Sequence, residues 1–394
     1  MSNNREVIIA SAVRTPIGSF NGSLSTLSAP KLGSIAIKEA IKRANVSNDD
    51  ISEVIMGNVI GAGLGQAPAR QASIFAGLPK SVGCTTINKV CGSGLKAVML
   101  ATQAIKLGDS NVVVAGGMES MSNAPYLMYK ARFGYRMGHG ELVDSMIKDG
   151  LWDVYNDFHM GSAGELCSKE CNIPREAQDE FAVLSYKRAI DAQEKRYFKE
   201  EIVPVTISGR KGDVVVDVDE EPLNVKFEKI SSLRPAFDKE GTITAANASK
   251  ISDGSSALVV MGADIAEKRG IKPIAKVIGY STAAKEPEWF TTAPADAIDL
   301  LLKKNSLTKD DIDLFEINEA FSVVALAVNQ ILGLDVNKVN IAGGAIALGH
   351  PIGASGARIL TTLLHNLKRT GGKKGVASLC LGGGEAVALA VEMV

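Results

Sequence analysis

Four short segments carry residues able to do covalent and proton chemistry. Asn88-Lys-Val-Cys91-Gly-Ser-Gly-Leu-Lys sets a cysteine between an apolar approach and two glycines, at the start of a run that reads as helix through Leu107. The first N–H groups of a helix lack partners and its dipole is positive there, so the Cys91 thiol is expected to ionise readily and act as a nucleophile. Gly92 and Gly94 are expected to leave room for a carbonyl to approach the sulfur. The segment Gly349-His350-Pro351-Ile-Gly353-Ala-Ser-Gly356 puts one of only four histidines in a glycine-rich loop. An imidazole titrates near neutrality and takes a thiol proton readily. Phe315-Glu-Ile-Asn318-Glu319-Ala320-Phe321 ends an apolar strand in polar groups, and Cys380 closes another before Leu381-Gly-Gly-Gly384. Taken singly, each segment also fits a structural role, such as a small buried cysteine at a helix start. Two thiols, one as nucleophile and one as acid/base, with a histidine between them would suit acyl transfer.

These residues lie far apart in the chain, so the fold must bring them together, and an internal repeat indicates how. A displacement of 261 positions aligns Ala36–Ile51 with Ala297–Ile312 without a gap. Each copy reads as an amphipathic helix, a second helix start at Ser47 or Thr308, and a strand. The same displacement sets Gly92 against Gly353, each opening a helix that ends at Leu107 or near Leu367. Each of those helices precedes a buried strand, Val112–Ala115 or Val376–Cys380, that ends in glycines. Two copies of one α/β unit, with mixed buried sheets and helices on their faces, follow from this pattern. His350 then falls beside the position equivalent to Cys91, across a pseudo-two-fold axis.

The copies are 1–120 with 252–273, and 274–394; residues 121–251 between them are an insertion. Its first forty residues hold seven of the twenty aromatics, as a pocket wall or a subunit contact would. Pro174 opens a helix to about Gln193, and 203–218 read as a hairpin. The 394 residues include 43 basic and 44 acidic ones, a balance that gives no electrostatic basis for nucleic-acid binding. No apolar stretch is long enough for a membrane span, and Met1–Glu6 lacks the apolar core of a signal peptide, so a cytoplasmic location is the expectation. Five scattered cysteines with no Cys-x-x-Cys spacing suggest reduced thiols and neither a disulfide framework nor a metal site.

Val90-Cys91-Gly-Ser-Gly, Asn318-Glu-Ala-Phe, Gly349-His-Pro and Cys380-Leu-Gly-Gly-Gly resemble the four signature segments of the thiolase family, in order and over essentially the whole chain. Phe158-His-Met-Gly161 and Ala245-Ala-Asn-Ala-Ser249 are similar to the coenzyme A loops of its short-chain acetyl-CoA acetyltransferase branch. The resemblance implies a five-layered αβαβα fold of two similar halves with an inserted loop domain, assembled as a homotetramer. It also implies a reversible Claisen condensation of two acetyl-CoA to acetoacetyl-CoA and coenzyme A. In that chemistry Cys91 carries the acetyl group, His350 takes its proton, and Cys380 removes a Cα proton from the second substrate. His350 and a water on Asn318 would serve the enolate oxygen, and the amides of Cys91 and Gly382 the acyl intermediate. By the same resemblance His159 and Ser249 touch the pantetheine arm, Ala245 belongs to its loop, and Met160, Phe237, Ala320 and Phe321 wall the tunnel. No cofactor or metal is implied, since coenzyme A thioesters are substrates. The arginine that relatives often carry near the adenine is missing from Glu221–Val225, where Arg210, Lys211 or Lys226 could replace it.

Other readings weighed on the residues are a 3-ketoacyl-CoA thiolase of broader chain length, a Cys-His thioester hydrolase and a non-catalytic acyl-binding protein. Decarboxylating ketoacyl synthases use histidines where this chain has Asn318 or Cys380.

Overall fold

The structure, a computed structural model, describes residues 5–210 and 212–394. The first half supplies β1 (Val7–Arg14), β2 (Gly18–Ser19), β3 (Glu53–Gly57), β4 (Gly83–Ile87) and β5 (Val112–Ser120), with helices α1 (Ala29–Ala44), α2 (Pro68–Phe75) and α3 (Ser93–Leu107). In the insertion, β6 (Tyr126–Leu127) pairs with β7 (Val143–Asp144), β8 (Trp152–Asp153) with β9 (Phe158–His159), and β10 (Val205–Ile207) with β11 (Val214–Val216). Helices α4 (Met160–Glu170) and α5 (Arg175–Glu194) accompany them, α5 starting directly after Pro174. The chain then returns through β12 (Ser252–Gly262) and α6 (Ala263–Arg269). The second half follows with β13 (Ala275–Ala284), α7 (Ala293–Lys304), β14 (Leu314–Ile317), α8 (Ser322–Leu332), α9 (Ala345–Leu348), α10 (Ile352–Thr370), β15 (Lys374–Leu381) and β16 (Glu385–Met393).

Strands run in the order β14-β15-β16-β13-β1-β12-β5-β3-β4, with β2 paired to β12. The β3–β4, β3–β5 and β14–β15 pairs are parallel and the others antiparallel. The order is nearly a palindrome about the β1–β13 pair, which touches at only two register positions, Ile8↔Lys276 and Ile9↔Ala275. Each side of that seam is one copy of the repeat.

Apolar side chains on both faces of the strands require cover on both faces, and the helices provide it. Between the half-sheets lie α3 and α10, where Leu95, Val98 and Ile105 pack with Ile359, Leu363 and Leu367, with Val113 and Val260 from one half and Leu379 and Leu389 from the other. Ile37, Ile41 and Ala72 of α1 and α2 cover the outer face of the first half. Ile298, Leu301 and Val328 of α7 and α8 cover the outer face of the second. The result is five layers, α-β-α-β-α.

The expected second helix starts at Ser47 and Thr308 are single 3-10 turns, Asn48–Asp50 and Lys309–Asp311, each closed by a capping box. Strand β5 does not end at Ala115 but runs through Gly116 and Gly117 to Ser120. Glycine is needed there because neighbouring backbone presses in. A Cβ on Gly116 would lie 2.1 Å from the Ser256 carbonyl oxygen and one on Gly117 2.0 Å from that of Gly353. The insertion is tied to the sheet by Arg14, wholly buried at the end of β1, whose guanidinium donates to Glu201 at 2.5 Å and to both oxygens of Asp219 at 2.7 and 2.9 Å.

Candidate active site

Two helix starts define the site, and glycine lets them lie side by side. On α3, a Cβ on Gly94 would sit 2.7 Å from the Ala357 nitrogen; on α10, one on Gly356 would sit 2.4 Å from the Leu95 nitrogen. The backbones are therefore in direct contact, and the loops feeding the two helices, 88–92 and 349–351, meet at one edge. Gly92 and Gly94 were expected to make room for a substrate carbonyl. The structure gives that space to protein instead, because Leu381 and Val387 press on Gly92 and α10 presses on Gly94.

The Cys91 loop is tightly held. Asn88 Oδ1 accepts from the Val90 N–H at 2.9 Å, while Ser93 Oγ accepts from the Lys89 N–H at 2.8 Å and donates to the Val90 carbonyl at 2.7 Å. Val90 has φ +46°, a left-handed conformation costly for a β-branched residue and found where surrounding structure overrides local preference. The backbone N–H groups of Gly382 and of Cys91 itself favour the ionised form of the Cys91 sulfur. The thiol does not ionise readily, contrary to expectation. Although its own surface is only half-buried, Val59, Ile60, Met121 and Ile352 surround it. That burial pushes its pKa up to about 12, against the pull of the two amides and with a further push from Glu119. Desolvation outweighs the helix-start field.

His350 supplies what such a thiol needs. Its backbone N–H donates to the Lys250 carbonyl at 2.9 Å. Its Nδ1 meets Ser355 Oγ at 2.6 Å, and that hydroxyl donates onward to the Pro351 carbonyl at 2.9 Å. A hydroxyl committed as donor leaves Nδ1 to carry the proton, so Nε2 is the free base. Burial, and then the positive charge of Arg358, drive the His350 pKa down to about 3, so the ring is neutral at rest. Asn318 Nδ2 lies 3.5 Å from Nε2. The Asn318 Oδ1 is buried with no partner among the described residues, an orphaned acceptor that a small polar ligand such as water would satisfy. Cys380, also buried, has its pKa raised well above the ordinary thiol value by burial, by nearby Cys91 and by Cys167. Cys91, Gly382, His350, Asn318 and Cys380 thus form one constellation of a nucleophile, a neutral base, a second thiol and two amide donors.

A family description for the N-terminal domain of thiolases matches residues 7–264, and one for their C-terminal domain matches residues 271–393. The chain belongs to the thiolase family. This thiolase is similar, at 55% identity over 99% of its length and 98% of the relative's, to acetyl-CoA acetyltransferase 2 of Arabidopsis thaliana. It is 55% identical to the acetyl-CoA acetyltransferase of Cupriavidus necator, over 98% of this chain and 99% of that one. The crystal structure of the Acat5 thiolase from Ascaris suum in complex with coenzyme A superposes with a TM-score of 0.94 at 47% identity, covering 99% of this chain and all of that one.

In this thiolase the residues expected along the substrate arm gather in front of His350. His159 stacks on Phe237 with ring centroids 4.7 Å apart, and Phe237 meets Phe321 edge-on at 6.2 Å. His159 Nδ1 accepts from the Gly161 N–H at 3.1 Å, capping α4. Together with Ser249, Leu151 and Ile352, these rings line a cavity of ≈ 180 Å³ that ends at His350. Met160 and Ala320 pack with Cys380 in the adjoining apolar cluster. Ala245 does not line this cavity but a second groove of ≈ 220 Å³, beside Tyr186, Glu221, Lys226 and Lys229. Of Arg210, Lys211 and Lys226, Lys226 lines this groove together with Lys229 and Lys250 and Arg210 does not, while Lys211 lies outside the described residues. A larger surface hollow of ≈ 850 Å³ around Arg43, Lys272 and His365 contains none of the site residues, so size does not locate the chemistry. Among the described residues, no cluster of His, Cys, Asp and Glu is arranged to hold a metal.

Sequence reasoning missed three supports. Glu119 is fully buried and accepts from Asn58 Nδ2 at 2.7 Å and from the N–H groups of Val59, Ile60 and Gly353 at 3.0, 3.2 and 2.9 Å. It thereby pins the start of α10 to the loop that packs on Cys91. Ser355 fixes the His350 tautomer, and its hydroxyl five residues after the histidine was the available signal. Lys250 touches both cavities.

Proposed function

We propose that this thiolase is an acetyl-CoA C-acetyltransferase that joins two acetyl-CoA into acetoacetyl-CoA and coenzyme A, reversibly, through an acetyl-Cys91 intermediate. The observation that carries the reading is a buried histidine, its Nδ1 held by Ser355 and its Nε2 beside Asn318, brought by the contact of α3 and α10 to the Cys91 loop, where a second thiol, Cys380, lies close to Cys91. Hydrolysis would require only one thiol. Carbon–carbon bond formation needs a nucleophile and a separate base for the Cα proton.

The steps follow from the resting protonation states. The Cys91 proton passes to His350 Nε2 as the sulfur attacks the thioester carbonyl, and the oxyanion forms in front of the two amides. The coenzyme A thiolate departs with the proton of the Cys380 thiol, which leaves Cys380 as a thiolate and His350 as an imidazolium with a proton on Nε2. The Cys380 thiolate then removes a Cα proton from the second acetyl-CoA; the burial that raises its pKa also makes it a strong base, better matched to a weak carbon acid. The enolate oxygen faces His350 and a water held by the unpaired Asn318 Oδ1. Its carbon attacks acetyl-Cys91, the departing Cys91 sulfur takes back its proton from His350 Nε2, and Cys380 keeps the Cα proton, so that both thiols and the neutral imidazole are restored. The small volume, ≈ 180 Å³, of the cavity that Met121, Leu151, Ile352 and His350 line supports a short acyl group.

Two features support a homotetramer. The outer edge of β4 has no partner strand among the described residues, and the β6–β7 region exposes Tyr126, Tyr129, Phe133 and Met137, an apolar patch typical of subunit contacts.

Acetoacetyl-CoA cleavage, measured with and without free coenzyme A, tests the reading. Cleavage should require coenzyme A and should disappear in both Cys91→Ala and Cys380→Ala. Thioester hydrolysis independent of coenzyme A, persisting in Cys380→Ala, would identify a Cys-His hydrolase instead.

A further inference from the structure

The backbone carbonyl of Lys250 holds the His350 N–H, and the residue's side chain stands beside this machinery with no role in the steps above. Lys250 directly follows Ser249, and its side chain doubles back on the turn it leaves. Nζ donates to the Ala245 carbonyl and, at 3.1 Å, to that of Ala248, with the Tyr186 ring 5.8 Å away. Three backbone N–H groups of the turn are engaged within the fold. The Thr244 N–H donates to Asn247 Oδ1 at 2.8 Å, the Ala246 N–H to Thr244 Oγ1 at 3.2 Å, and the Ser249 N–H to the Ala320 carbonyl at 3.0 Å. Lys250 also lines both the cavity that ends at His350 and the outer groove. A compact ammonium between two carbonyl oxygens is a charge-assisted clamp, stronger than the neutral bonds around it.

We propose that Lys250 is a positioning residue of the substrate tunnel: its ammonium, held between the Ala245 and Ala248 carbonyls, fixes the turn that presents Ser249 to the coenzyme A arm. This rests on the acetyltransferase reading above. The backbone carbonyl of residue 250 holds the His350 N–H whatever side chain follows, so loss of the clamp falls on binding and spares the chemistry. The charged and titratable groups facing the ammonium are Glu221, Lys226 and Lys229 from the segment along the outer groove, Tyr186 from α5, and His159 and His350 in the tunnel. Burial lowers its pKa to about 8, against the attraction of Glu221, so the clamp is charged at neutral pH and weakens above it.

The test measures KM and kcat for acetyl-CoA, which carries no free thiol, in the full-length wild type, Lys250→Ala and Lys250→Met. Lys250→Ala should raise KM about tenfold and change kcat less than about threefold. Methylammonium should recover much of that loss in Lys250→Ala, where it can enter the emptied slot, but not in Lys250→Met, whose side chain fills it. A tetramethylammonium salt of equal ionic strength should recover nothing. Wild-type KM should climb above about pH 8, with no such limb in Lys250→Met. An unchanged KM in both variants overturns the proposal, as does a raised KM with neither amine recovery nor a wild-type pH limb. Should Lys250→Ala not fold, the wild-type limb and its absence from Lys250→Met decide. A wild type unable to cleave acetoacetyl-CoA overturns the acetyltransferase reading and this one with it, before any variant is measured.

Discussion

Replacing Gly356 by alanine places one methyl group between the two helices whose leading loops carry Cys91 and His350. The added Cβ would lie 2.4 Å from the Leu95 nitrogen and 2.8 Å from Leu95 Cβ, where ordinary contact begins at 3.4 Å. Backbone cannot rotate out of the way as a side-chain tip can, so α3 must retreat by about 1 Å. Two effects oppose each other in stability. Alanine in a helix is favoured over glycine by about 1 kcal/mol, while overpacking a dense interior costs about 1–3 kcal/mol. The balance is a melting temperature lowered by a few degrees. The effect on rate should be larger, because a misplacement of about 1 Å between reacting groups costs on the order of a hundredfold. The assay is single-turnover acetylation of Cys91 by acetyl-CoA, read alongside a thermal melt. Gly94→Ala, with its Cβ 2.7 Å from the Ala357 nitrogen, should show the same pattern more mildly. A raised melting temperature with an unchanged acetylation rate in Gly356→Ala would refute the claim that direct backbone contact sets the Cys91–His350 geometry.

Three further outcomes are expected. Asn318→Ala removes the unpaired acceptor and one donor at the enolate site; a lost oxyanion contact is worth about 3 kcal/mol, so condensation should slow on the order of a hundredfold while Cys91 acetylation changes far less. Equal losses in both half-reactions would place Asn318 elsewhere in the mechanism. Arg14→Ala strands Glu201 and Asp219 as buried charges and should cost about 3–5 kcal/mol in chemical denaturation, with wild-type stability excluding the tie between insertion and sheet. Burial raises Glu316 from 4.5 to about 8, with Arg358 at 4.0 Å opposing, so the folded state holds a proton that the unfolded chain has released. Stability should therefore fall as pH rises from about 5 to 8, and Glu316→Gln should lose part of that decline in denaturant midpoints measured across the range.

What was legible in the chain was whatever a short segment states by itself. Cys91 and His350 sit in glycine-marked loops at helix starts, Cys380 lies at the end of a strand just before three glycines and Asn318 follows a strand in a polar run, and the 261-residue displacement sets the Cys91 loop against the His350 loop. The errors lie where an environment is assembled from distant segments. The Cys91 pKa was read from its own helix start, yet its desolvation comes from Val59, Met121 and Ile352, and nothing local to residue 91 announces them. Gly116 and Gly117 read as a strand end because their partners, Ser256 and Gly353, are more than a hundred residues away. Glu119 looks like any surface glutamate until the N–H groups of Val59, Ile60 and Gly353 converge on it. Lys250 carries no signal in the sequence, since only the folded turn shows its side chain curling back on Ala245 and Ala248.

The seam between β1 and β13 bears on the history of the fold. A symmetric dimer of half-length chains would place the same loop at both central helix starts, so that a change at one appears at the other. Such an assembly cannot hold a thiol on one side and an imidazole on the other. Joining the copies into one polypeptide removes that constraint while keeping the packing, since Gly92 and Gly353 still open equivalent helices. The covalent link across the pseudo-axis is thus what makes asymmetric chemistry available to a symmetric architecture, and division of labour between the halves is a consequence of duplication.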